Sequence, residues 1–373
     1  MPSRTKRPTQ GITRTQSKGI TVLSSSLVLR GLREFPHTSR WSVRQAFHAS
    51  GAYAGISSAG RVAFYSAETR ASSQQIEIAD LELSAPSQSA AVPDEPFVAH
   101  PDFPAAFAWS PDEKQLVAVA GAWQPELHLF DACSPAFAGR FGSFRVYPTH
   151  LCWSGGGRYL AAASDGSENS KLTLWMPESS AEDFEPLCEM DRRVFIDLQT
   201  AAEADNGQGN FYGFGATAFR PDEREMATVL EFDGDWSDDS VILARVPTLE
   251  ISDRFETTGH VTQLSWSPDG QRIIFCASGQ AHSLDLTRNA IDSLPFAAEM
   301  VQCHPSLPLC GFYNSWLKNA AAGRIFITDL QTSTIIDECR AEGIVDLRWS
   351  ADGRVLYAVT GDGTAYLYES QLT

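Results

Sequence analysis

The sequence predicts an all-β fold, a seven-bladed β-propeller whose blades are four-stranded and antiparallel. Three observations predict it. A hairpin-turn motif recurs along the chain, short β-branched runs flank each copy, and helical periodicity never exceeds a turn or two outside residues 177–215. The 373 residues, 43% of them hydrophobic, suffice to bury the core of one large all-β domain.

The best copy reads Leu264-Ser-Trp266-Ser-Pro-Asp-Gly270-Gln-Arg-Ile-Ile-Phe275. Its relatives begin at Ala108-Trp109-Ser-Pro-Asp112, Cys152-Trp153-Ser-Gly-Gly-Gly157 and Leu347-Arg-Trp349-Ser-Ala-Asp-Gly353. Ala218-Phe219-Arg-Pro-Asp222 changes the aromatic, and Gln302-Cys303-His-Pro305 keeps little beyond the proline. The first copy is read at Ile56, because Gly60-Arg-Val-Ala-Phe64 echoes Gly353-Arg-Val-Leu-Tyr357.

Each copy has a physical reading. An alternating stretch ends in Trp-Ser, and Pro-Asp-Gly supplies a tight turn. A β-branched run such as Arg272–Cys276 forms the second strand. A third ends near an acid, as in Leu127–Asp131, Ile76–Asp80, Ser283–Asp285 and Ile325–Asp329, with Leu172–Trp175 its counterpart in blade three. A weaker fourth, such as Ile251–Phe255, precedes the next copy. Four strands repeated about every 45 residues is a propeller pattern.

From these motifs, residues 40–373 resemble the WD-repeat propellers. That resemblance implies a Gly-His ahead of the first strand, a Trp-Asp ending the third, and an Asp in the turn between strands two and three that links them. Gly259-His260 matches the first element, but blade five lacks the turn Asp and the Trp, and blade seven has Glu342-Gly343 in place of Gly-His. The chain thus reads as a divergent member whose turns are held by packing more than by that relay.

Blade seven supplies three strands before the chain ends, so an N-terminal strand is expected to close it, the closure WD-repeat proteins commonly use; an open edge would invite aggregation. Trp41–Phe47 is the first candidate and Ser26–Leu29 the second. The resulting division is a disordered basic tail over 1–18 and a single propeller domain over 19–373, with insertions at 84–104, 177–215 and 232–240. Arg193–Leu198, within the second insertion, reads as a fourth strand or a docked element.

Net charge is −17 overall, yet residues 1–33 hold seven basic side chains and no acid, leaving −24 on the rest. So acidic a body repels phosphate backbones, which excludes nucleic acid as a partner of the folded part. Seven dispersed cysteines without a CxxC pair read as reduced thiols in a cytoplasmic protein. The basic N-terminus leaves an organelle-targeting segment as the alternative. No apolar run is long enough to span a bilayer.

Catalytic motifs are missing: no Gly-x-Ser-x-Gly elbow, phosphate loop or zinc helix. Gly207–Gly215 lacks the strand-turn-helix setting of a nucleotide site and reads as a loop. Asp233-Gly-Asp235-Trp-Ser-Asp238-Asp239 begins like a calcium loop but lacks its turn glycine and its closing glutamate. No cofactor and no metal are expected. The expected function is non-catalytic protein binding by a loop-decorated face; the alternative is a propeller enzyme acting on a small molecule or glycan at the central channel.

The sharpest expectation concerns one face. Loops between strands two and three emerge beside the connections between blades. Three of them carry tryptophan: Trp123, Trp236 and Trp316, in blades two, four and six. Asp233, Asp235, Asp238 and Asp239 surround the middle one. Such a surface suits a basic or arginine-bearing partner through cation–π contact and electrostatic steering, unless each ring folds back as a local cap.

Overall fold

The computed structural model describes residues 28–34, 44–47, 53–56, 61–65, 72–77, 107–112, 114–120, 126–131, 136–144, 148–164, 170–176, 188–191, 210–233, 238–315, 323–350, 352–360 and 364–369. Their only regular structure is β. Strand β1 (Val28–Glu34) stands apart from the chain's opening sheet, which comprises β2 (Arg44–Phe47), β3 (Tyr53–Ile56), β4 (Arg61–Tyr65) and β5 (Ser72–Glu77). The second holds β6 (Phe107–Trp109), β7 (Gln115–Ala120), β8 (Glu126–Asp131) and β9 (Ala136–Ser143). The third holds β10 (Pro148–Trp153), β11 (Leu160–Ser164), β12 (Lys171–Trp175) and β13 (Cys188–Asp191). The fourth holds β14 (Asn210–Phe219), β15 (Glu225–Asp233), β16 (Ser240–Arg245) and β17 (Ile251–Glu256). The fifth holds β18 (Val261–Trp266), β19 (Arg272–Ala277), β20 (Gln280–Asp285) and β21 (Ala290–Ala297). The sixth holds β22 (Met300–Cys303), β23 (Leu309–Asn314), β24 (Arg324–Asp329) and β25 (Thr334–Arg340). The last joins β26 (Ile344–Trp349), β27 (Val355–Thr360) and β28 (Thr364–Glu369) to β1, so the described residues form seven four-stranded antiparallel sheets.

The closing strand is therefore N-terminal, as expected, but it is not the first candidate. β1 runs antiparallel to β28 from Val28↔Glu369 to Glu34↔Thr364. Trp41–Phe47 instead supplies β2, the inner strand of the first sheet. The structure moves the first copy one strand earlier than the motif suggests: Ile56 ends a second strand, the anchor position belongs to Phe47, and Ile76 lies on a fourth strand, not a third. Without a Trp-Ser-Pro-Asp-Gly turn in that sheet, nothing local fixed the register.

The third sheet needs a similar correction. Its fourth strand is Cys188–Asp191, Arg193–Leu198 lies outside the described residues, and Asn210–Gly215 belongs to β14. The insertion therefore ends before 210. The one at 232–240 shortens likewise, because Phe232 and Asp233 finish β15 and Ser240 opens β16.

Strands β11, β16 and β23 are buried at nearly every position, whereas β25 is mostly exposed or half-exposed. A middle strand has a neighbouring sheet on both faces, so it reads as a continuous apolar run; the outer strand meets solvent. Phe296, Phe312 and Phe326 fill the seam between the fifth and sixth sheets, with centroids 5.0 to 5.4 Å apart.

The recurring tryptophan is explained by what it reaches. Nε1 of Trp153 donates to Ala108 O at 3.1 Å, Trp266 to Ala218 O at 3.0 Å, and Trp349 to Gln302 O at 3.1 Å. Each indole thus pins an inner strand to the inner strand of the preceding sheet. Two bonds run the other way: Val301 N donates to Gln263 Oε1 and Cys303 N to Ser265 Oγ. Side chains thereby occupy the inner edges that would otherwise be unpaired.

The Ser-x-Asp-Gly turn has its own logic. Ser267 Oγ accepts Arg272 N and donates to Asp269 Oδ1, which also accepts Gln271 N, while Gly270 takes φ 65°. Ser350, Asp352 and Gly353 repeat the arrangement. The acid ending the third strand caps the next turn: Asp285 accepts from Thr287 N and Oγ1 and from Arg288 N and Nε. The Thr287 hydroxyl and the Arg288 guanidinium hold Asp285 well below the usual carboxylate range, and the Ser350 hydroxyl lowers Asp352. Both groups therefore contribute stability that is present above about pH 4, the unfolded value, and lost as pH falls through the folded one. The thermal midpoint is expected to drop as pH falls from 5 to 3. Asp285→Asn combined with Asp352→Asn should flatten that acid limb in a melting series; an unchanged slope contradicts the assignment.

One cysteine expectation is corrected. Cys303 and Cys310 face each other across β22 and β23 and form a disulfide, with Cα atoms 4.1 Å apart. Sequence spacing hid this, since a hairpin of unlike strands gives no cysteine motif. Cys152, Cys276 and Cys339 are free.

Candidate interaction face

The turns between second and third strands share a face with the loops that run from sheet to sheet, and hydrogen bonds bind the two sets together. Thr257 N donates to Asp239 O at 2.9 Å, Ser278 N to His260 O at 3.0 Å, and Ala298 N to Gly279 O at 3.0 Å. Ala341 N reaches Gly323 O at 3.0 Å, and Asn314 Nδ2 reaches Ala297 O at 3.1 Å. A face laced in this way presents its side chains from a fixed platform.

Asp238 and Asp239 do different work on it. Asp238 is exposed, and its Oδ1 accepts Gly259 N at 2.6 Å. Asp239 is only 1% exposed. Its carboxylate accepts Val261 N at 2.7 Å and Phe232 N at 3.4 Å, and His260 Nδ1 lies 3.0 Å from Oδ2. Asp239 is therefore a pin for the loop between the fourth and fifth sheets, a correction to its expected place among partner-binding residues. The same geometry corrects the reading of the turn relay. Gly259-His260 does find its acid, in the fourth sheet's turn and not in the fifth's.

Of the other expected residues, Asp233 ends β15, and its side chain lies outside the described atoms. Trp123, Asp235, Trp236 and Trp316 lie outside the described residues. Their segments join β7 to β8, β15 to β16 and β23 to β24, which are second-to-third-strand connections as expected. What the sequence reading missed is the rest of the face. Glu256 and Glu342 are exposed, and Ser315 Oγ bonds both oxygens of Glu299 at 2.7 Å. Val345, at the start of β26, is 54% exposed. Beneath them Tyr313 is buried, and burial pushes its phenol up. Only the strand ends, once fixed, assign these residues to this face.

Among the described residues no group of histidine, cysteine and carboxylate side chains could hold a metal, and no helix is long and apolar enough to cross a membrane.

Residues 252–284 match the family described as WD domain, G-beta repeat. The matched span runs from β17 through β20, so the sequence repeat begins with the outer strand of one sheet and ends within the next. That one-strand offset is the same one that sends β1 to β28. A chain in the crystal structure of a mitotic checkpoint complex superposes with a TM-score of 0.62 at 12% identity, over 98% of this chain and 99% of that one. No curated protein matches. The superposition shows a β-propeller fold, and residues 252–284 supply a WD-type repeat within it.

Proposed function

We propose that the protein is a non-catalytic binding scaffold, and that the face joining the second-to-third-strand turns to the inter-sheet loops receives a basic or arginine-bearing segment of another protein. The observation that carries this reading is the exposed acids, Asp238, Glu256 and Glu342, presented on a hydrogen-bonded platform. Two further features support it. The chain is strongly acidic, and the propeller it superposes on comes from a multiprotein complex. Carboxylates of this kind raise association rates with basic partners by long-range steering, an effect that salt screens. Trp123, Trp236 and Trp316 would add cation–π contacts of about 0.5–2 kcal/mol each.

The test is affinity capture from the native host followed by mass spectrometry, with wild type beside Glu256→Lys/Glu342→Lys and beside Trp236→Ala/Trp316→Ala. A discrete stoichiometric partner should be retained by wild type, and by neither variant, at unchanged melting temperature. A partner held equally by all three contradicts the face assignment.

A further inference from the structure

The residue after the anchor is a serine in four copies: Ser110, Ser154, Ser267 and Ser350. Each Oγ accepts the backbone N–H five residues on, from Gln115, Tyr159, Arg272 and Val355. The sixth copy has His304 there, and its imidazole replaces the hydroxyl as the cap. Nδ1 accepts Ser306 N at 3.1 Å and Leu307 N at 3.0 Å, while Nε2 lies 3.1 Å from Gly353 O in the seventh sheet's turn. Backbone amides only donate, so Nδ1 is bare and Nε2 carries the proton. The ring is buried and packs on Trp349. Leu307, whose amide it caps, packs in turn on the cluster of Leu347, Trp349 and Leu356 between the sixth and seventh sheets.

We propose that His304 is a pH-sensitive latch at this seam: a proton taken from water at Nδ1 releases the Ser306 and Leu307 amides. A serine hydroxyl does not titrate near neutrality, whereas an imidazole does. The new N–H would meet two N–H groups already aimed at the same nitrogen, and both amides would lose their acceptor. The bond from Nε2 to Gly353 O survives protonation. The ring therefore stays on the seventh sheet while the turn over 305–308 lets go and loosens Leu307. Residues 300–309, which carry the ring, include no charged side chain. From the seventh sheet Asp352 acts on the ring, but Ser350 Oγ, Arg354 N and the Arg354 guanidinium already engage that carboxylate. Burial outweighs the Gly353 carbonyl and Asp352, and holds the imidazole below its usual value. The cap's contribution is thus present above about pH 6.5, the unfolded value, and lost as pH falls toward the folded one. That window lies above the one in which Asp285 and Asp352 titrate.

Amide hydrogen exchange read by NMR on the purified protein tests this, with the His304 ring protons titrated in the same samples. After correction for intrinsic exchange, protection of the Ser306 and Leu307 amides should fall at least tenfold from pH 7 to pH 5, along the His304 titration. The Tyr159 and Arg272 amides, capped by serine, should keep theirs. His304→Asn has no titrating cap, so exchange at Ser306 and Leu307 should no longer depend on pH. Should that variant fail to fold, the contrast within wild type still decides. Protection at Ser306 and Leu307 that persists while His304 titrates overturns the proposal. So does an equal fall at Tyr159 and Arg272, or a folded His304→Asn protein that keeps the pH dependence.

Discussion

Removing residues 1–36 is expected to abolish soluble folded protein, whereas removing 1–18 should leave the melting curve unmoved. The larger deletion takes away β1, the outer strand of the last sheet, whose partner β28 would then present an open edge. β28 carries Tyr368, which is buried in the cluster between the sixth and seventh sheets together with Leu347, Trp349 and Leu356. Loss of β1 uncovers that cluster at the seam where the chain's beginning meets its end. Soluble expression, circular dichroism and a thermal scan of both truncations decide the matter. A 1–36 deletion that melts like wild type would mean that β1 closes nothing.

Gly353→Ala should be strongly destabilising, by about 2–4 kcal/mol, from left-handed backbone strain plus overpacking. Gly353 takes φ 71°, and a Cβ there would run into the imidazole of His304. That ring cannot step aside cheaply. Its Nδ1 accepts Ser306 N at 3.1 Å and Leu307 N at 3.0 Å, so Nε2 carries the proton and donates to Gly353 O at 3.1 Å. The ring also packs on Trp349, with centroids 4.9 Å apart. Gly279→Ala is the matched control: φ is 77°, but nothing lies within 4 Å of the added carbon. It should cost about 1 kcal/mol, the strain alone. Chemical denaturation of the two variants separates the terms, and equal losses would show that His304 yields.

His304 also shows where sequence reading stopped. It occupies the copy with the weakest motif, and Cys303 stands where four of the other copies have tryptophan. The turn is nonetheless rebuilt, with the imidazole capping two backbone N–H groups and reaching the next sheet. What local chemistry dictates was legible: the Ser-x-Asp-Gly turns, the middle-strand apolar runs and the need for an N-terminal closing strand. What depends on partners far along the chain was not. Asp239 looked like its neighbour Asp238, because nothing local shows that one points in toward Val261 and the other out. Phe47 carries no turn motif beside it, so nothing local assigns Arg44–Phe47 to the first sheet, and of the two closing candidates it is the second, Ser26–Leu29, that overlaps β1 at Val28 and Leu29.

Hydrogen–deuterium exchange on the complex with the captured partner tests the binding-face reading most directly. Partner binding should slow exchange at 238–240, 257–261, 297–300 and 341–345, where the inter-sheet loops and turns meet, and leave the Ser-x-Asp-Gly turns at 267–270 and 350–353 unchanged. Protection confined to those turns, with the loop face exchanging as in the free protein, would contradict it.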